Sequence, residues 1–120
     1  MPDLETRRRD LWGALGAASG AIAVIAGALA AHFVRDAHAT ELLATGARWQ
    51  AVSALAAIAG AMLGARIASA LQGIGGLLFA GSIYALAAGA PALAGVVTPV
   101  GGLAMIAGWI GLAVAFLRQR

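Results

Sequence analysis

Two histidines come nearest to a metal site by type and spacing. His32 and His38 stand six positions apart, with the carboxylates of Asp36 and Glu41 nearby in the sequence. Imidazole and carboxylate groups are zinc ligands, but residues six apart do not share one face of a helix. His32 and His38 are therefore weak metal candidates, and haem ligation stays open. The alternative is that His32 hydrogen-bonds at a helix end while His38 is solvated. We expect no bound metal or cofactor.

The carboxylates argue against proton-coupled transport and against catalysis. All five, Asp3, Glu5, Asp10, Asp36 and Glu41, lie outside the long apolar runs. Small four-span multidrug exporters resemble this chain in size, but they use an embedded glutamate. Small fluoride channels carry pore asparagines, and this sequence has no asparagine. The absence of cysteine excludes thiolate metal sites and a cysteine nucleophile. We find no serine–histidine–acid arrangement and expect no enzyme.

The elements that must position these residues are membrane helices. The 120 residues are 62% hydrophobic and 11% charged, whereas a soluble domain is about 45–50% apolar and about 25% charged. Charges are costly at the bilayer centre, so they mark the ends of spans. The charge-free runs predict an all-α, polytopic four-transmembrane-helix bundle in one membrane domain, 1–120. Its predicted segments are spans at about 11–34, 48–65, 68–88 and 99–117, with an interfacial segment at 36–46.

A turn must interrupt the longest charge-free run, 67–117. Gly89 suits the end of the third helix, and Pro91 follows where a helix cannot continue. Thr98 is then predicted to be the N-cap of the fourth helix, with Pro99 at its first position.

Four spans put both chain termini on one side of the membrane. That side carries six arginines: Arg7, Arg8, Arg9, Arg66, Arg118 and Arg120. The other side has Arg35 and Arg48, balanced by Asp36 and Glu41. The positive-inside rule then predicts a bacterial inner-membrane protein with both termini cytoplasmic. Because the basic residues sit at termini and connections, we expect no nucleic-acid partner.

Small residues let membrane helices approach closely, and polar side chains hydrogen-bond between them. The glycines predicted to serve helix packing or interaction are Gly16, Gly20, Gly60, Gly64, Gly76 and Gly108. The side chains predicted to hydrogen-bond between helices are His32, Gln50, Ser82, Tyr84, Thr98 and Trp109. Trp12 and Trp49, at predicted span ends, suit an aromatic belt.

Five segments carry a family resemblance. They are 27–32 (GALAAH), 45–50 (TGARWQ), 79–86 (FAGSIYAL), 98–102 (TPVGG) and 107–109 (AGW). In this order they resemble the small four-span family catalogued as domain of unknown function 423, which has transmembrane protein 256 as a eukaryotic relative. The resemblance implies a four-helix fold in the inner membrane and no established reaction. Ser53 stands where the family usually has a second histidine, so a two-histidine site built that way cannot form here.

Three functions are compatible with these features. The first is an accessory, assembly or interaction subunit of a larger membrane complex, with lipid and other membrane proteins, or further copies of itself, as partners. The second is a small transporter or channel for a neutral or hydrophobic solute, with a path lined by Gln50, Ser53, Ser82, Tyr84 and Thr98. The third is a metal or redox role centred on His32 and His38.

Overall fold

A computed structural model describes residues 2–119 as four long helices with short connections. The helices are α1 (Leu4–His32), α2 (Ala37–Met62), α3 (Arg66–Ala87) and α4 (Val97–Arg118), and a 3₁₀ segment, Ala92–Val96, precedes α4. Each is long and apolar enough to cross a membrane, which confirms the predicted all-α four-helix membrane fold. Met1 and Arg120 lie outside the described residues. The two ends of the predicted domain, 1–120, and the predicted position of the Arg120 charge therefore also lie outside them.

Aspartate side chains start the first two helices. The Asp3 carboxylate accepts a hydrogen bond from the Thr6 backbone N–H at 2.8 Å, and this bond lowers the pKa of Asp3 below its usual value. Asp36 caps α2 in the same way through Ala39 N–H at 2.8 Å. Such caps satisfy N–H groups that have no partner inside the helix. The cap at Asp3 explains why α1 begins at Leu4, before the predicted start at residue 11.

The predicted interfacial segment, 36–46, and most of the predicted second span, 48–65, form a single element. One continuous helix, α2, runs from Ala37 to Met62. Arg48 and Trp49 therefore lie within this helix and not at its end. Arg48 is exposed on the outer side, from which its long side chain can extend toward the headgroups.

The connection between α3 and α4 follows the predicted turn, but not the predicted cap. The backbone of Gly89 has a φ of 97°, a left-handed conformation that glycine adopts without steric cost after a helix. The α4 helix then begins at Val97, and no side chain caps it. Thr98 is consequently the second residue of α4, and the prediction that it is the N-cap is wrong.

The helices form an open arrangement around α2 and α3. In sequence order each helix packs against the next, whereas the described residues of α1 and α4 have no Cα atoms within 8 Å of each other. Ten of the thirteen buried apolar residues in the described chain are alanines. Small side chains therefore occupy the helix contacts, and the larger apolar side chains face outward, as expected for helices surrounded by lipid.

An arginine fastens the start of α1 to the turn between α2 and α3. The Arg9 guanidinium donates to the carbonyl oxygens of Ala61 at 3.1 Å and Met62 at 2.6 Å. Both carbonyls belong to the last turn of α2, where carbonyl groups run out of partners inside the helix. The Ala61 carbonyl also accepts from the Gly64 N–H at 3.1 Å. Gly64, in the same turn, has a φ of 73°. Its left-handed backbone makes the turn, so the prediction that Gly64 serves helix packing is wrong.

Candidate functional site

A buried amide joins three helices near the middle of the molecule. Gln50 of α2 is 1% exposed. Its Nε2 donates to Ser19 Oγ of α1 at 3.0 Å, and its Oε1 accepts from the Tyr84 hydroxyl of α3 at 2.7 Å. Gly46 makes room for the tyrosine ring, since a Cβ at that position would lie 2.5 Å from Tyr84 Cε1. The structure thus places Gln50 and Tyr84 between helices, as predicted, and adds Ser19.

A second set of polar contacts holds α3 to its neighbours. Ser69 Oγ donates to the Ala57 carbonyl of α2 at 2.6 Å, and Gln72 Nε2 donates to the Met105 carbonyl of α4 at 2.9 Å. The hydroxyls of Ser82 and Thr98 hydrogen-bond across the α3–α4 contact. Ser82 and Thr98 are therefore interhelical, as predicted. The interhelical contact of Ser69 was not predicted from the sequence.

Four of the predicted packing glycines lie at tight helix contacts. A Cβ at Gly16 would meet Ile58 Cγ1 at 2.9 Å, and one at Gly60 would meet the Ser69 backbone nitrogen at 3.0 Å. A Cβ at Gly76 would collide with Ser53 Oγ, and one at Gly108 would lie 2.9 Å from Gln72 Cγ. Gly20 is looser, because a Cβ there would contact only Ala54, at 3.8 Å.

The tightest contact between α3 and α4 involves glycines that the sequence did not distinguish. A Cβ at Gly101 would collide with the Phe79 backbone nitrogen and lie 2.7 Å from the Gly75 carbonyl oxygen. A Cβ at Gly75 would lie 2.8 Å from Ala104 Cβ. At both positions the added Cβ would also meet backbone atoms, which for Gly75 include the Gly101 carbonyl oxygen at 3.0 Å. Backbone atoms cannot rotate away as a flexible side chain can. The close approach of α3 and α4 thus requires these two glycines.

The histidines do not join the polar interior. His32 and His38 are both exposed, and His32 makes only an edge-to-face contact with Phe33, at 6.5 Å between ring centroids. The prediction that His32 hydrogen-bonds between helices is therefore wrong for this structure. Within residues 2–119 no three metal-ligating side chains come together.

An aromatic cleft opens outward between α2, α3 and α4. Trp49 of α2, Phe79 of α3 and Trp109 of α4 line it together with Gly102, Met105 and Ile106, and its volume is about 340 Å³. Trp49 is 44% exposed and Trp109 is 48% exposed. No hydrogen bond from either indole is found within residues 2–119. The prediction that Trp109 hydrogen-bonds between helices is consequently wrong.

The arrangement described so far can hold the helices together through buried hydrogen bonds and close contacts at glycines. The buried side-chain hydrogen bonds between the described helices join neutral amide, hydroxyl and backbone carbonyl groups. Only Gln72 Oε1 is buried without a hydrogen-bond partner in this part of the chain. The one salt bridge between positions 2 and 119, from Arg66 to Glu5 at 3.4 Å, is exposed near the start of α3.

Four membrane-length helices joined by buried amides and hydroxyls, with large apolar side chains outward, define a polytopic membrane protein. The chain belongs to the DUF423 family, described as a protein of unknown function, whose family model matches residues 26–102. A UPF0382 membrane protein of Haemophilus influenzae is 36% identical over 115 residues, which cover 88% of this chain and 93% of that relative. No solved structure matches the chain. The family match includes Gln50 and Tyr84, whereas Gly16, Gly108 and Trp109 lie outside it.

Proposed function

We propose that this protein has no catalytic site or cofactor and acts by association. Its partner would be a different membrane protein, for which it is an accessory or assembly subunit. The observation that carries the proposal is the aromatic cleft of Trp49, Phe79 and Trp109, which faces outward between α2, α3 and α4.

The depth of Trp109 is unusual for an outward-facing tryptophan. Trp109 precedes Arg118 by nine residues, which is about 13 Å along a helix, and a bilayer has a hydrocarbon core of about 30 Å. Lipid-facing tryptophans normally lie at the membrane interface, where the indole N–H reaches polar groups. In hydrocarbon an unpaired donor costs several kcal/mol. A helix of a partner that places a serine or threonine hydroxyl at the cleft would satisfy that donor and fill the space.

The packing of the polar interior supports association over transport. The transport alternative needs Gln50, Ser53, Ser82, Tyr84 and Thr98 to line an open path. Gln50 and Ser53 are each 1% exposed, and the Ser53 hydroxyl lies directly against Gly76. These side chains are used for contacts between helices. A path through them would require the helices to separate and break the hydrogen bonds of Gln50.

The proposal includes a location in the bacterial inner membrane with both termini in the cytoplasm. Arg7, Arg8 and Arg9 extend from the start of α1, while Arg66 and Arg118 lie at the same end of the bundle. Arg35 lies at the opposite end, in the connection between α1 and α2, and Arg48 lies within α2, eleven residues after its start. This asymmetry follows the positive-inside rule.

Photo-crosslinking in intact membranes tests the association. A photoreactive phenylalanine at position 109 is expected to give a covalent adduct with one different membrane protein. An adduct with lipid alone, or with a second copy of this chain, contradicts the accessory role.

A further inference from the structure

A second groove, distant from the aromatic cleft, lies between α3 and α4 at the end that carries the chain termini. It has a volume of about 360 Å³, and its rim is formed by Glu5, Arg66 and Arg118. Below this rim the lining is apolar, and it includes Ile67, Ala68, Leu71, Gly111, Val114 and Ala115. We name it the α3–α4 groove. Its charged rim and apolar floor match the two parts of a phospholipid.

From this arrangement we propose that the α3–α4 groove binds an anionic phospholipid. The phosphate lies between the guanidinium groups of Arg66 and Arg118, and the upper part of one acyl chain follows the apolar floor. Guanidinium groups bind phosphate through paired N–H donors. Basic pockets between transmembrane helices are known to hold anionic headgroups.

The dimensions of the groove fit this occupant. Gly111 precedes Arg118 by seven residues, so the floor extends about 10 Å from the rim into the apolar region. Gly111 and Ala68 keep the two helices close at the floor, since a Cβ on Gly111 would lie 3.2 Å from Ala68 Cβ. Ala115 leaves space above this contact. A chain of methylene groups can therefore enter beside the helices without displacing a large side chain.

The electrostatics of the rim favour one negative charge. Arg66 pairs with Glu5 at 3.4 Å, and both side chains stay about half exposed, at 44% and 57%. Two arginines and one glutamate leave the rim with a net charge of +1. The helix α3 begins at Arg66 and has no capping side chain, so its positive dipole end adds to the attraction. Arg66 also borders a separate groove with Arg8 and Trp12, whereas Arg118 borders the α3–α4 groove and not that second one.

The experiment measures how much labelled phosphatidylglycerol the purified full chain retains from phosphatidylcholine nanodiscs, by native mass spectrometry. Wild-type protein should retain phosphatidylglycerol in preference to phosphatidylcholine. Arg118→Gln should lower that retention about fivefold, the effect expected for one arginine near a membrane surface. Arg8→Gln removes the same charge at the same end but outside the groove, so its retention should change less than about twofold. Equal losses for the two variants, or no preference in the wild type, would overturn the proposal.

Two further variants keep the proposal testable if Arg118→Gln fails to fold. Glu5→Gln removes the carboxylate that competes for Arg66 and should raise retention of phosphatidylglycerol. Ala115→Leu fills the groove without changing charge and should lower it. Inorganic phosphate added in excess should not displace the lipid, because it lacks the acyl chain. Unchanged retention in Ala115→Leu, or displacement by phosphate, would contradict a lipid site in this groove.

Discussion

Two buried glutamines differ in how completely their amides are hydrogen-bonded. Gln50 uses both of its amide ends, toward Ser19 and Tyr84. Gln72 is equally buried, but only its Nε2 has a partner, and its Oε1 has none within residues 2–119. Removing a satisfied group leaves its partners unpaired, whereas removing an unsatisfied one also removes a penalty. The two positions should therefore respond differently to the same substitution.

We expect Gln50→Leu to lower the free energy of unfolding by about 1–2 kcal/mol, because the Ser19 and Tyr84 hydroxyls lose their partner. Gln72→Leu, its matched control in type and burial, should cost less than about 1 kcal/mol. Reversible unfolding in mixed detergent micelles measures both. If Gln72→Leu proved the more destabilising of the two, the assignment of Gln50 as the central polar contact would be wrong.

At the scale of a helix, the effect of replacing a glycine depends on whether that glycine faces a neighbouring helix. Gly101 of α4 faces the backbone of α3, while Gly81 of α3 faces open space, where an added Cβ would meet no atom within 4 Å. Gly101→Ala should destabilise the bundle by about 1–3 kcal/mol, because overpacking forces the two helices apart. Gly81→Ala should be neutral or stabilising by up to about 1 kcal/mol, since alanine favours a helix.

The same micelle unfolding assay compares these glycine variants. Equal stability of Gly101→Ala and the wild type would show that α3 and α4 do not approach as closely as described. A strongly destabilised Gly81→Ala would contradict the outward orientation of that face of α3.

Helix number and fold class could be predicted from the sequence, but the rotation of each helix could not. Charge-free runs set the four helices because charges are excluded from the bilayer centre. Gln50 and Tyr84 were predicted to be interhelical, yet their shared partner Ser19 depends on how α1 and α3 rotate toward α2. The prediction that Trp109 hydrogen-bonds inside the bundle was wrong because the sequence does not show how α4 is rotated. The close packing of α4 through Gly101 and Gly108 turns Trp109 outward, and a chain rich in glycine gives no local signal for this.

At the scale of the whole molecule, four spans place residues 3 and 119 on the same side of the membrane. The sequence contains no cysteine, so a single introduced cysteine reports its own accessibility. Asp3→Cys and Gln119→Cys should both resist a membrane-impermeant maleimide in intact cells, and Ala90→Cys, in the α3–α4 connection, should react. Labelling of only one terminus would contradict four spans, and labelling of both would contradict the cytoplasmic location.

The central claim concerns the aromatic cleft as a contact for another membrane protein. Its most direct test is photo-crosslinking in intact membranes from position 109, with position 110 as the control. Ile110 is 62% exposed and Trp109 is 48% exposed, and the two lie at nearly the same depth, but only Trp109 lines the cleft. We predict one discrete adduct with a different membrane protein from position 109, weakened by Trp49→Ala, and none from position 110. Lipid adducts alone, a dimer of this chain, or the same adduct from both positions would contradict the claim.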